Sequence, residues 1–230
     1  MDEDQPWKPR YLVQPLWNLV NACIFEYGIM MYDIEFGEHL RGRRGITPEL
    51  RARVGQAAAK VKKQVTKDYV LHPLLTGPAW RSTLAATVTA NLVRNVWSHS
   101  VIMCGHFPEG VETFEQSELD EGETRAEWYL RQMLGSANIS GSRLLHILTG
   151  NLSHQIEHHL FPDIPARRYP EIADEVRDIC ERYGLQYNTG PLHRQLGSVF
   201  AKIWRLALPD RKPRTDGPGT ADVTEPALAA

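Results

Sequence analysis

A cluster of three histidines in the second half of the chain constrains its fold and chemistry more than any other feature. Residues 151–163 read NLSHQIEHHLFPD, which places His154, His158 and His159 within six positions, together with Gln155 and Glu157. Charged imidazoles crowded in this way would repel one another, whereas a bound metal ion holds them neutral. Imidazole is a ligand for zinc, copper, iron and nickel. The cluster therefore predicts a metal site.

Apolar residues around the cluster recur at three- and four-residue intervals, which is the spacing of the buried stripe of a helix. They are Leu144, Leu145, Leu148, Leu152, Ile156 and Leu160. We predict a single helix that begins near Ser140 or Ser142. It ends at Phe161-Pro162 and Pro165, because the residue before a proline is disfavoured in the helical region.

Helical spacing decides which polar side chains of the cluster share a face. His154 and His158 are four residues apart, as are Gln155 and His159, so each pair lies on one side of the helix. The adjacent His158 and His159 diverge by about 100° around the axis. Such a doublet can serve two metal ions, or provide one ligand and one residue that hydrogen-bonds to a ligand.

A second polar group lies at the end of the apolar segment 84–104. Asn95 and His99 are four residues apart, and His106 follows seven residues later, so all three can share one helical face. Polar groups in such a segment are costly unless they face a protein interior or a cavity. His99 and His106 are alternative ligands, and hydrogen bonding between helices is the alternative role of Asn95. The separate histidines are interpreted as ordinary core or surface residues: His39, His72, His146 and His193.

Composition excludes some classes of function. The net charge of −2 gives no reason to expect a nucleic-acid partner. The three cysteines, Cys23, Cys104 and Cys180, form no metal motif, and their odd number argues against a disulfide framework. At 230 residues the chain is long enough for one domain with a substantial core.

Two apolar segments could cross a membrane or form buried helices of a soluble protein. Residues 12–32 are long enough for about 30 Å of helix but include Gln14, Asn18, Asn21 and Glu26. Residues 70–104 are also interrupted, by prolines near their start. The mean hydropathy of −0.38 is that of a soluble protein, but the polar residues concentrate outside these segments.

The remaining segments have simpler patterns. A basic, alanine-rich helix is predicted over 48–68, either as a solvated face or as an interfacial helix beside anionic lipid. An amphipathic helix is predicted over 165–183 and a short helix over 192–208. The tail from residue 209 lacks periodicity and is predicted to be disordered.

The histidine cluster resembles a motif of one family. The sequence QIEHHLFP, residues 155–162, resembles the third histidine box of membrane fatty acid desaturases, in the variant with glutamine at the first position. Asn95-Val-Trp-Ser-His99 is similar to the Asn-x-x-x-His element that completes the family's metal site. Residues 91–110 and 128–180 resemble most closely the actinobacterial acyl-CoA desaturases, including those of mycobacteria.

This resemblance implies an all-α, membrane-associated helical bundle with a cytoplasmic helical cap. It implies a partial desaturase domain over 6–208 and a disordered tail over 209–230. The implied cofactor is a pair of iron ions, with O2 as co-substrate. The implied partners are a long-chain acyl-CoA or acyl lipid, an external electron donor of the ferredoxin or flavin reductase type, and the lipid bilayer. The implied location is the cell membrane, with the active site on the cytoplasmic side. The positive-inside tendency favours a cytoplasmic location for the basic 37–68 loop. The two expectations conflict if each apolar segment crosses the membrane once, because the loop and the histidine box then lie on opposite sides.

The resemblance also implies roles for the polar residues. His158 and His159 are expected to be direct ligands, and Gln155 a weaker ligand or hydrogen-bond donor for which His154 can substitute. Asn95 is expected to act through water, with His99 or His106 completing the set. Glu157 is expected to orient a histidine.

Two further histidine boxes of the family, of the H-x-x-x-H and H-x-x-H-H types, are expected upstream of the first apolar segment and are not found in this sequence. We therefore expect the C-terminal portion of a desaturase, inactive without a chain that carries those boxes. One alternative is a zinc hydrolase that uses the H-x-x-E-H pattern of His154, Glu157 and His158. The other is a non-catalytic descendant of a desaturase.

Overall fold

The computed structural model of the protein describes residues 7–34, 47–114 and 122–209. Over 7–34 and 47–114 the described chain is mainly helical and forms α1 (Gln14–Cys23), α2 (Phe25–Asp33), α3 (Pro48–Thr66), α4 (His72–Leu75) and α5 (Trp80–His106). A π-helical turn, Lys67–Leu71, joins α3 to α4.

The described range 122–209 adds further α-helices and two short strands. They are α6 (Arg125–Leu134), β1 (Asn138–Ser140), α7 (Arg143–Leu148), α8 (Gln155–Leu160), α9 (Tyr169–Arg182), β2 (Thr189–Pro191) and α10 (Leu192–Ala207). The prediction of a predominantly helical chain is confirmed. This is consistent with the all-α expectation, and the two three-residue strands β1 and β2 form one short parallel pair.

The single helix predicted across the histidine cluster is wrong. The chain leaves the helix after Leu148 and turns through Gly150 and Asn151, whose φ angles are 63° and 62°. These left-handed conformations stop a helix and are tolerated by glycine and asparagine. A new helix, α8, begins at Gln155, so His154 precedes it as the N-cap residue. Of the two serines considered as caps, Ser142 accepts a hydrogen bond from the Leu145 amide.

The two apolar segments are also interrupted. The first divides at Ile24, whose φ of −121° and ψ of 30° separate α1 from α2. The second begins with a π turn and the short α4 before the 27-residue α5. Within the described ranges, no helix combines the length and the apolar character needed to cross a membrane.

Three predicted helices are confirmed as α3, α9 and α10. Thr47 caps α3 by accepting a hydrogen bond from the Leu50 amide. Just beyond α9 the chain turns at Gly184, which has a φ of 66°. Residues 210–230, where disorder was predicted, lie outside the described residues, as do Arg41, Arg43 and Arg44 of the basic loop.

Helix α8 lies in a small apolar core formed with α6 and α9. Ile156 and Leu160 pack there against Met133, Val176 and Cys180. Burying side chains such as these two contributes about 1.5–3 kcal/mol each. A second cluster joins Val101 and Cys104 of α5 to Ile139 of β1. Together the two clusters bring the end of α5 beside α8.

Candidate metal centre

Asn138 of β1 positions the start of α8. Its side-chain oxygen accepts a hydrogen bond from the Ile156 amide at 2.9 Å, and its Nδ2 donates to the Glu157 carboxylate at 2.8 Å. Its own amide donates to the Asn188 carbonyl at 2.8 Å. One residue thus satisfies an otherwise unpaired amide in the first turn of α8 and connects that turn to the segment before β2.

The imidazoles of His106 and His159 meet between α5 and α8. Their Nε2 atoms are 3.1 Å apart. Nδ1 of His106 lies 2.8 Å from the Ile102 carbonyl oxygen, and Nδ1 of His159 lies 3.0 Å from Oε1 of Gln132. Both oxygens can only accept, so each Nδ1 carries the hydrogen and each neutral Nε2 presents a lone pair. Two lone pairs facing each other are repulsive unless a cation lies between them.

Gln155 adds an amide to this pair. Its Nε2 lies 3.4 Å from Nε2 of His106. The close approach depends on Gly105, because a Cβ there would lie 2.9 Å from Cγ of Gln155. A small residue before His106 therefore lets the Gln155 side chain pack directly against α5.

His158 lies beside the pair but faces a different partner. Its ring centroid is 5.7 Å from that of His159, and the two rings are nearly perpendicular. Its Nδ1 lies 2.9 Å from the hydroxyl oxygen of Tyr169, the first residue of α9. The 100° divergence predicted for adjacent helical residues therefore directs His158 toward α9 and His159 toward α6.

Burial keeps the two box histidines neutral. Burial and, to a smaller extent, the neighbouring His106 and His158 together lower the pKa of His159 to about 4. Burial also lowers the pKa of His158, with a smaller contribution from His106. Neutral imidazole is the form that binds metal ions.

The His106–His159 pair suits a metal ion, but few further ligands lie near it. Two nitrogens bound at about 2.1 Å in adjacent positions on one ion are about 3 Å apart, which matches the separation of the two Nε2 atoms. Imidazole nitrogen is a suitable donor for iron. In the part of the chain that the structure describes, however, no three His, Cys, Asp or Glu side chains converge closely enough to hold an ion. His106, His159 and the amide of Gln155 therefore form a partial donor set, with His158 at its edge.

His154, the N-cap residue of α8, packs against His146. Its ring centroid is 4.8 Å from that of His146, and both of its ring nitrogens are buried without a hydrogen-bond partner. Its Nδ1 is 3.8 Å from the Glu157 carboxylate, which is too long for a hydrogen bond. Burial and, to a smaller extent, His146 and Arg177 together lower its pKa to about 4. His146, interpreted as an ordinary residue, pairs with the Ser153 hydroxyl at 2.7 Å.

Glu157 is fully buried and does not face the histidine pair. Its two carboxylate oxygens accept hydrogen bonds from Asn138 at 2.8 Å and from the Tyr187 hydroxyl at 2.7 Å. Burial and the adjacent carboxylate raise the pKa of Tyr187, so its hydroxyl remains a donor. A carboxylate enclosed in this way cannot reach a reacting water, so the geometry does not suit a general base in a zinc hydrolase.

Asn95 and His99 lie at a different place on α5. Nε2 of His99 is 3.2 Å from Oδ1 of Asn18, and its ring packs edge-on against Phe25. Asn95 accepts a hydrogen bond from the Glu26 amide at 3.0 Å. Both residues connect α5 to α1 and α2. Seven residues correspond to about 10 Å along a helix, so His99 and His106 share a face without sharing a site.

Three residues of this region were not identified from the sequence: Gln132, Asn138 and Tyr169. Each holds a box residue through a hydrogen bond from another element. None belongs to a motif, and each lies on a different element of the chain from the box. No signal in a single sequence would have identified them.

Comparison with known proteins supplies the family. The family model for fatty acid desaturases matches residues 7–191. The chain belongs to the fatty acid desaturase family. It is 44% identical over 212 residues to the NADPH-dependent stearoyl-CoA 9-desaturase of Mycobacterium tuberculosis, in both strain CDC 1551 / Oshkosh and strain H37Rv. That match covers 90% of this chain and 49% of the relative, so the chain spans about half the length of these curated relatives.

A mammalian relative is more distant. The mouse (Mus musculus) fatty acid desaturase 2-like protein FADS2B is 26% identical over 145 residues, which cover 62% of this chain and 28% of the mouse protein. No solved structure matches the chain. The predicted closeness to actinobacterial acyl-CoA desaturases is confirmed by the mycobacterial relatives.

Proposed function

We propose that this chain forms part of the catalytic domain of a fatty acyl desaturase, with a long-chain acyl-CoA as substrate. The observation that carries the proposal is the convergence of His106 and His159, with Nε2 atoms 3.1 Å apart, within a chain of this family. The substrate class is supported by the name of the mycobacterial relative, a stearoyl-CoA 9-desaturase.

The residues that would hold iron are His106 and His159, with His158 and Gln155 as further donors. Bound iron would supply the activation of O2, which is reduced to two water molecules with two external electrons, two protons and two hydrogens from adjacent methylenes. The chain's own residues orient the donors. Gln132 and the Ile102 carbonyl fix the ring orientations, and burial keeps the His159 imidazole neutral.

A second set of ligands would come from the H-x-x-x-H and H-x-x-H-H boxes of the family. These boxes would be carried by a polypeptide that corresponds to the other half of the curated relatives. The proposal accounts for the partial donor set, since two imidazoles and an amide cannot complete the coordination of two ions. Without those boxes the chain is expected to be inactive.

We further propose that the chain lies in or on a lipid bilayer, with its active site on the cytoplasmic side. Large apolar side chains are exposed on several helices, including Leu16 and Trp17 on α1, Leu74 and Leu75 on α4, and Val93 on α5. Each of these five is between 62% and 74% exposed, and extensive exposed apolar surface supports a membrane or protein contact. A separate protein would deliver the electrons, with NADPH as their source as in the name of the mycobacterial relative.

Co-expression tests this function. The chain is expressed with a polypeptide carrying the two other histidine boxes, in a host that lacks acyl-CoA desaturase activity. We expect a new cis double bond in the cellular fatty acids and iron in the co-purified complex. The H159A variant should abolish both, whereas H193A, at an exposed position, should abolish neither. Lipids without a new double bond, in cells that contain both polypeptides, would contradict the proposal.

A further inference from the structure

The three imidazoles of the candidate metal centre have chemically different partners at Nδ1. His106 faces a backbone carbonyl and His159 faces an amide oxygen, and both of these can only accept a hydrogen bond. His158 faces the hydroxyl of Tyr169 at 2.9 Å, which can donate or accept. His158 is therefore the one imidazole of the three whose tautomer is not dictated by its partner.

The direction of this one hydrogen bond decides whether His158 can bind a metal ion through Nε2. When the Tyr169 hydroxyl donates to Nδ1, the hydrogen of the neutral ring lies on Nε2, which then has no lone pair to offer. When the hydroxyl accepts, the hydrogen lies on Nδ1 and Nε2 is free to bind. A phenol donates to a free imidazole, whereas metal binding makes the remaining ring N–H a stronger donor.

Tyr169 is held firmly enough to act in this way. Its side chain is 2% exposed, and its ring packs 5.7 Å from that of His158. It is the first residue of α9 and follows the helical turn Ala166–Arg168, which is closed by a hydrogen bond from the Arg168 amide to the Pro165 carbonyl. The segment that connects α8 to Tyr169 is therefore short and ordered by this hydrogen bond.

We propose that Tyr169 is a positioning residue that makes His158 a conditional metal ligand. Its hydroxyl donates to Nδ1 of His158 in the metal-free chain and accepts from Nδ1 when metal is bound. His106 and His159 keep their Nδ1–H tautomer in both states. The inference rests on the proposed function, because it needs a metal ion at this centre.

Nitrogen NMR of the wild-type chain tests the tautomers without any substitution. The purified full-length chain, labelled with 15N-histidine, is compared before and after addition of Zn²⁺, a diamagnetic probe. We expect His158 to change from the Nε2–H to the Nδ1–H tautomer on zinc binding, while His106 and His159 remain Nδ1–H. A His158 ring that is already Nδ1–H before zinc is added would overturn the inference.

A tyrosine-to-phenylalanine substitution tests the hydroxyl itself. Y169F keeps the ring and removes one oxygen. It removes the hydrogen bond of both states, and because metal-bound His158 is the stronger donor, we expect a net weakening of zinc binding, at or below the lower end of the roughly 10–100-fold loss typical of a ligand's hydrogen-bond partner. The matched control is Y183F, at the residue that follows α9, where the side chain is 74% exposed, and zinc affinity should not change. Calorimetric titration measures the affinities, and far-UV circular dichroism establishes that both variants fold.

The outcomes separate this inference from the proposed function. If neither the chain nor its complex with the polypeptide that carries the other two histidine boxes bound zinc, the metal site of the proposed function would fail. If the wild type bound zinc and Y169F bound it equally well, with unchanged His158 nitrogen shifts, only the role of Tyr169 would be overturned. If Y169F did not fold, the wild-type tautomer measurement would still decide the question.

Discussion

Nε2 of His106 and Nε2 of His159 lie 3.1 Å apart, although 53 residues separate them in the sequence. The Nδ1 atoms of both rings are paired with acceptor oxygens, so the lone pairs of the two Nε2 atoms point at each other. This relationship selects His106 over His99 as the candidate ligand from α5, and it leads to the first prediction.

Substitution of His106 should affect metal content, whereas substitution of His99 should affect stability. H106A should lower the iron content of the co-purified complex, because it removes a donor. H99A should leave the iron content unchanged but lower the free energy of unfolding by about 1–3 kcal/mol, since it removes a buried ring and its hydrogen bond to Asn18. Metal analysis and thermal unfolding of the two variants measure these effects. Loss of iron in H99A with iron retained in H106A would reverse the assignment.

Gly105 should tolerate alanine poorly for a reason local to the metal centre. A Cβ at this position would lie 2.9 Å from Cγ of Gln155, so G105A must push Gln155 away from His106. We expect a reduced iron content of the complex. G55A is the control, because Gly55 lies within α3 with no atom within 4 Å of an added Cβ. That variant should be more stable by about 0.5–1 kcal/mol with its iron content unchanged. Equal iron contents in G105A and wild type would show that Gln155 needs no contact with α5.

Tyr187 should contribute to stability through its hydrogen bond to Glu157. Y187F leaves one oxygen of a fully buried carboxylate without its donor, and hydrogen bonds to charged groups contribute about 1.5–3 kcal/mol. Denaturant unfolding should show a loss of that size. Y183F, which changes an exposed tyrosine, should stay within about 0.5 kcal/mol of wild type. Equal stabilities of Y187F and Y183F would contradict the prediction.

The same tyrosine should make the protein less stable in alkali. Burial and the adjacent Glu157 raise the pKa of Tyr187 above its ordinary value of about 10. Above about pH 10 the unfolded chain therefore loses this proton while the folded chain keeps it, so the free energy of unfolding falls as the pH rises. Denaturant unfolding at about pH 9 and about pH 11 should show a smaller fall for Y187F than for wild type. An identical fall would show that Tyr187 ionises freely in the folded chain.

The sequence predicted those elements whose signals are local. The amphipathic helix at 165–183 was identified from its periodicity and observed at Tyr169–Arg182, and the Ser142 cap was one of two positions considered. The single helix across the histidine cluster was wrong because a regular apolar spacing continues through Gly150 and Asn151. Their left-handed conformations place Leu148 and Leu160 on two helices instead of one.

The histidine box, its family and the identity of the candidate donors were determined by the sequence alone, because they depend on residue type and short-range spacing. The tertiary structure decided that His106 rather than His99 meets His159, and that Tyr169, Gln132 and Asn138 hold the box residues. These contacts join α5, α6, α8, α9 and β1, which are distant in sequence. These contacts arise from packing and from hydrogen bonds between elements. Such interactions leave no periodic pattern in a single sequence.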